Sequence, residues 1–217
     1  MKALILVDIQ NDFVPAAGNR DGRDGALAVP KGHEVIAVAN RVMPTYALVV
    51  ATQDYHPADH LSFASQHPGR SVGDVVDLDG LPQVLWPDHC VQGTAGADLC
   101  ETLNRSEIDA IVRKGGDRNI DSYSGFFDNA APDAPLARRR ATGLHELLQK
   151  RGVTAVDVMG LATDYCVKFT ALDAAALGYT TQLLVPGCRG VELKPGDCDR
   201  AIDAMRGAGV VIEGNIP

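Results

Sequence analysis

Six short apolar runs rich in β-branched residues constrain this chain more than any other feature. They are "ALILVD" (Ala3 to Asp8), "ALVVATQD" (Ala47 to Asp54), "IDAIVRKG" (Ile108 to Gly115), "AVDVMGL" (Ala155 to Leu161), "TQLLVP" (Thr181 to Pro186) and "VVIEG" (Val210 to Gly214). Each is continuous rather than alternating, the pattern of a strand covered on both faces. Helical patterns fall between them. "GHEVIAVANRVM" precedes the second run, and a weaker pattern around "GADLCETLN" precedes the third. "TGLHELLQKRG" spaces Leu144, Leu147 and Leu148 helically and stops at Gly152. "TDYCVKFTALDAAALGY" offers Thr163 or Asp164 as N-cap and Gly178 as stop, and "GDCDRAIDAMRGAG" starts on Asp and ends on Gly. The alternation predicts an α/β fold: a doubly wound, mainly parallel six-stranded sheet with helices on both faces. No internal repeat or linker interrupts the 217 residues, so a single domain over 1–217 is expected.

Charge and cysteine usage narrow the partners. A net charge of -8 argues against nucleic acid or an anionic membrane surface. No apolar run is long enough to span a bilayer, and "ALILV" is too short and too lightly flanked for a signal peptide. The cysteines are Cys90, Cys100, Cys166, Cys188 and Cys198, an odd number with no CxxC spacing. That excludes a disulfide framework or a cysteine zinc cluster as the first expectation, and predicts reduced thiols in a cytoplasm.

In open α/β sheets, ligands bind beyond the carboxyl ends of the strands. The first run ends in Asp8, the second in Asp54 followed by His56, and the third in Lys114. The fourth leads through Gly160 to Thr163, Asp164 and Cys166. An acid, a base, a thiol and a metal-binding pair are thereby expected on one rim. Cys166 falls in a first helical turn, where backbone N–H groups and the dipole favour a thiolate. Cys188 and Cys198 are its rivals, and Asp12 in "QNDF" competes with Asp8. Asp54 and His56 are two apart and share a side of an extended chain. His89 of "WPDHC" lies later in the same long stretch, and one carboxylate with two of these histidines would leave positions open for water and substrate. His60 is four residues past His56, but Pro57 between them opposes a regular helical pair.

The segments "LVDIQNDF", "DYHPADHLSFASQH", "WPDHCVQGTAGADL", "KGGDRNIDSYSGFFDN" and "MGLATDYCVKFTALDAAALGY" occur in this order. Together they resemble the nicotinamidases, members of the isochorismatase-like cysteine hydrolases, over nearly the whole chain. The resemblance implies the isochorismatase-like hydrolase fold and a catalytic triad of Asp8, Lys114 and Cys166. It implies one divalent metal ion (zinc, iron or manganese) on Asp54, His56 and His89, with His60 close by. It further implies a ring pocket from Phe13, His60, Trp86, Tyr123, Leu161, Ala162 and Tyr165. A cis peptide between Leu161 and Ala162 and an oxyanion hole from the N–H groups of Ala162 and Cys166 follow from the same likeness. The implied reaction converts nicotinamide and water to nicotinate and ammonia through a thioester, within NAD salvage, with pyrazinamide as a further substrate. The implied partner is that small molecule, and a homo-oligomer is compatible with it. The loop from Ala16 to Gly25 is longer than in such relatives. Three other readings share some of these residues: a sibling amidase for N-carbamoyl compounds, a receiver-like switch, and a metal-binding protein with a structural cysteine.

Overall fold

The computed structural model describes residues 1–78, 80–131 and 134–214. The last residues of the expected domain, 215–217, lie outside this range. Six strands form one sheet: β1 (Lys2–Val7), β2 (Val49–Asp54), β5 (Ala110–Lys114), β6 (Ala155–Leu161), β7 (Thr180–Arg189) and β8 (Val211–Glu213). Two more, β3 (Val75–Leu78) and β4 (Leu81–Val84), form a separate antiparallel hairpin. The sheet order is β5-β2-β1-β6-β7-β8, and every pair in it is parallel. The chain winds outward from β1 in one direction and from β6 in the other. The point where the order reverses therefore lies between β1 and β6, and a crevice opens there at the carboxyl ends.

Four α-helices connect these strands: α1 (Glu34–Val42), α2 (Leu144–Lys150), α3 (Lys168–Ala176) and α4 (Asp197–Gly207). Parallel crossovers are right-handed as a rule, so the step from β1 to β2 assigns α1 to one face, and the opposite-going steps after β5, β6 and β7 assign α2, α3 and α4 to the other. Val35, Ile36, Ala39 and Val42 form the buried stripe of α1, the spacing expected of a helix lying on a sheet. The central strand β1 is buried from Ala3 to Val7. No helix among the described residues is long and apolar enough to cross a membrane.

Two local expectations fail. The pattern around "GADLCETLN" forms no α-helix; only a 3-10 turn, Ala95–Ala97, is present. Instead Leu99 bridges Gln10, and the Cys100 N–H donates to the Ile9 carbonyl at 3.0 Å. Backbone bonding to the end of β1 outweighs the weak helical pattern. Nor do Thr163 and Asp164 cap the helix after β6. A π-helical turn, Thr163–Val167, precedes α3, with Ala162 at its cap and no side-chain cap bond. Asp164 turns away and accepts the N–H groups of Val191 (2.9 Å) and Glu192 (2.8 Å).

Candidate active site

The strand ends converge as the sequence predicts. Asp8 follows β1 with φ 48, a left-handed conformation rare for a non-glycine residue and typical of functional sites. Its Oδ1 accepts the Thr52 hydroxyl at 2.6 Å. Its Oδ2 lies 2.9 Å from Lys114 Nζ, yet accepts no hydrogen bond of good geometry. Lys114 ends β5 directly beside Asp54, its register partner on β2. Its ammonium donates to Asp54 Oδ1 at 2.5 Å, to the Ser122 carbonyl at 2.7 Å and to Cys166 Sγ at 3.5 Å. Cys166 reaches this cluster from the π-helical turn after β6. An oxygen of Asp8, one of Asp54 and the Cys166 sulfur lie within 4.8 Å of one another.

Burial sets the charges here. It would lower the Lys114 ammonium, but Asp54 and Asp8 outweigh it and hold the group well above the usual lysine value. Burial raises the Asp8 carboxyl, with Lys114 opposing. It also pushes the Cys166 thiol well above its usual value, again against Lys114. The helix-terminus argument anticipates a thiolate; desolvation inside the cluster wins instead. So raised, the thiol favours its neutral form, and Asp8 Oδ2, with no well-aligned donor of its own, is a carboxylate oxygen of the same cluster. The rival cysteines lie outside this cluster. Cys188 donates to the Leu184 carbonyl at 3.3 Å and is pushed by burial to about 12. Cys198, on the first turn of α4, is also raised to about 12, by burial and by Asp164. Asp12 is not at the thiol either; its carboxylate accepts the Cys90 and Ala26 N–H groups.

Asp54, His56 and His89 offer ligand atoms within 4.8 Å of one another. The ring hydrogen bonds test whether these atoms suit a metal. His56 Nδ1 lies 2.8 Å from the Gly115 carbonyl and His89 Nδ1 2.7 Å from the Pro87 carbonyl. A carbonyl only accepts, so both Nδ1 atoms carry a proton, which leaves Nε2 of each ring as the atom a metal would take. Burial opposes a second proton on His56, but Asp54 outweighs it and raises the ring above the usual histidine value, so a metal there would displace that proton. Burial and the neighbouring His56 hold His89 down at about 4, in the neutral form a ligand needs. One carboxylate oxygen and two imidazole nitrogens fit a divalent transition metal. His60 differs. Its Nδ1 accepts the Ser62 N–H at 3.1 Å, so its proton sits on Nε2, 3.4 Å from the Ile120 carbonyl. Its ring packs 4.4 Å from that of His56. His56, His60 and Asp121 also lie within 4.8 Å, so both groupings describe one region around His56.

A cavity beside the sulfur is lined by Phe13, Trp86, Tyr123, Ala162 and Tyr165, with Asp54, His89 and Cys166. The Tyr165 ring meets Trp86 edge-on at 4.8 Å. Trp86 Nε1 donates to the Tyr123 hydroxyl at 3.1 Å. Leu161, expected in the pocket, is fully buried and is not among the residues lining this cavity, and its peptide bond to Ala162 is cis. Several residues here carry no local sequence signal. Asp121 lines the cavity and accepts from Gln83 at 2.9 Å. Gln10 binds both the N–H and the carbonyl of Asp54 at 2.8 Å. Thr52 orients Asp8. Only their pairing across strands reveals them, although the polar Gln10, Thr52 and Gln53 beside apolar runs were a readable hint.

Comparison with known proteins agrees with this geometry. A family model described as the isochorismatase domain matches residues 2–215. The nicotinamidase of Escherichia coli (strain K12) is 47% identical over 97% of this chain and 93% of its own. The solved nicotinamidase–pyrazinamidase of Acinetobacter baumanii superposes with TM-score 0.87 at 39% identity, covering 97% of this chain and 94% of that one. A pyrazinamidase of Pyrococcus horikoshii, solved in complex with zinc, superposes with TM-score 0.70 at 34% identity, covering 98% of both chains. The chain belongs to the isochorismatase family and, within it, to the nicotinamidases.

Proposed function

We propose that this chain is a metal-dependent cysteine amidohydrolase that converts nicotinamide and water to nicotinate and ammonia. The observation that carries the reading is the buried contact of Lys114 with Asp8, Asp54 and Cys166, which joins the thiol to the metal-binding set. The whole chain would act as one catalytic domain.

Asp54, His56 and His89 would hold the metal, with zinc, iron and manganese all suited to this donor set. When bound, the metal supplies a Lewis acid that can anchor the pyridine nitrogen. Trp86, Phe13 and Tyr123 pack the ring, and positioning alone lowers the barrier to attack. Asp8 accepts the thiol proton as the sulfur attacks the carboxamide carbon. Lys114 stays protonated and steadies the negative charge passing between Asp8 and the sulfur. The N–H groups of Ala162 and Cys166 receive the developing oxyanion, each worth about 3–4 kcal/mol in other hydrolases. Asp8 returns its proton to the leaving ammonia. Water then cleaves the thioester, with Asp8 again as base. Pyrazinamide, a ring of the same size, fits the same scheme. Nicotinate so formed would feed NAD salvage. Five free cysteines suit a cytoplasmic setting, and a homo-oligomer is compatible with this site.

The test is ammonia release from nicotinamide by the purified protein and by Cys166→Ala. The variant should lose about 10^4-fold or more in kcat. Equal turnover by both would refute the nucleophile.

A further inference from the structure

We infer that Asp12, which the reaction scheme leaves unused, is a positioning residue for the metal-binding loop. The inference rests on the metal reading above. It begins at Cys90, next to the ligand His89. Cys90 is buried and has φ 47, a left-handed conformation that side chains other than glycine rarely adopt. Something must hold it there. Its carbonyl accepts the His56 N–H at 3.0 Å, and its own N–H donates to Asp12 Oδ2 at 2.7 Å. One strained residue thus stands between the two histidines, and the Asp12 carboxylate grips its N–H.

The carboxylate is itself fixed. Oδ1 accepts the Ala26 N–H at 3.2 Å. Gly96 packs so closely that a Cβ there would lie 2.1 Å from Oδ2. The Asp12 carbonyl accepts the Leu27 N–H at 2.9 Å, and Leu27 lines the substrate cavity. The ring of the next residue, Phe13, packs 5.4 Å from that of His89. Asp12 therefore ties the turn after β1 to the loop bearing His89 and to one wall of the pocket. Groups that orient metal ligands at one remove commonly change affinity by about 10- to 100-fold when removed.

The test is zinc affinity, measured by competition with a fluorescent chelator on the full-length wild type, Asp12→Ala, Asp12→Asn and Asp24→Ala. Asp24 is a control of the same kind: it accepts the Ala16 N–H at 2.7 Å in the neighbouring loop but does not touch Cys90. Asp12→Ala should bind zinc about 10- to 100-fold more weakly. Asp12→Asn, which keeps one acceptor oxygen, should fall between it and wild type, and Asp24→Ala should match wild type. Wild-type affinity in folded Asp12→Ala overturns the role of Asp12 alone. If that variant does not fold, wild-type affinity in Asp12→Asn overturns it equally. A wild type that binds no zinc overturns the metal reading and this inference together.

Discussion

Gly115 is the wall behind His56. Its carbonyl accepts the ring Nδ1–H at 2.8 Å, and a Cβ built on it would lie 2.4 Å from His56 Cε1. The glycine both sets the tautomer and leaves the ring no room to retreat.

Gly115→Ala should therefore displace a metal ligand. Gly152 is the control, because it has the same φ of 67 and nothing within 4 Å. Each substitution places alanine in a left-handed conformation at a cost of about 1 kcal/mol or more. Only Gly115→Ala should also weaken zinc binding, by about 10- to 100-fold in a chelator competition. Equal zinc affinity in the two variants would show that His56 can shift without loss.

The opposite end of the sheet offers a stability test that leaves catalysis alone. Tyr46 donates its hydroxyl to Asp157 Oδ2 at 2.5 Å, and Asp157 is 1% exposed. Burial, then the bond to Asp157, holds the phenol protonated above its usual range. Tyr46→Phe removes one of two donors to this buried carboxylate and leaves Lys2 Nζ, 3.1 Å from Oδ2, as the other. The expected loss is about 1.5–3 kcal/mol in urea unfolding, with kcat/KM unchanged. Asp157 pairs with Leu4, three residues before the end of β1, well short of the catalytic rim.

Much of this was legible beforehand, for a physical reason. Parallel strands covered on both faces must be continuous apolar runs, so their carboxyl ends can be read directly. That places Asp8, Lys114 and the turn bearing Cys166 on one rim before any coordinate is known. What escaped is bonding between distant segments. The Asp164 carboxylate looks like a helix cap locally, but it serves amides 27 and 28 residues on. The β3–β4 strands are short and largely unburied, and Asp77, Pro82 and Gln83 interrupt their apolar residues, so they lack a buried strand's continuous run. The burial that opposes a Cys166 thiolate depends on neighbours from three strands, whereas the helix dipole that favours one is visible in the local sequence.

Asp173 on α3 supplies a pH dependence. It is 8% exposed, and its Oδ1 lies 3.2 Å from Arg139. Burial raises its carboxyl above the ordinary 3.8, and Ser124 and Arg139 offset only part of this. The folded state therefore holds the proton more tightly than the unfolded chain. The stability so gained is full below about pH 3.8 and is lost as pH rises through the higher folded value. Asp173→Asn does not titrate. The stability of wild type minus that of the variant should fall across this acidic window and level off above it. A difference that rises with pH would reverse the sign and refute the assignment.

Lys114 makes the sharpest claim, because one ammonium serves two buried carboxylates. Lys114→Met would leave Asp8 and Asp54 facing each other without a counter-charge. Breaking a buried pair in this way costs about 3–5 kcal/mol, most of it the stranded charge. Adding Asp8→Asn removes one stranded charge and should return part of the loss. The double variant should thus be more stable than the sum of the single losses predicts, although both single variants lack activity. Unfolding of all four proteins, stripped of metal alike, gives the coupling energy. Losses that add to within about 0.5 kcal/mol would mean that Lys114 and Asp8 do not interact. Asp8 would then lack the cation that keeps its carboxylate charged in a buried site, and it could not serve as the base for Cys166.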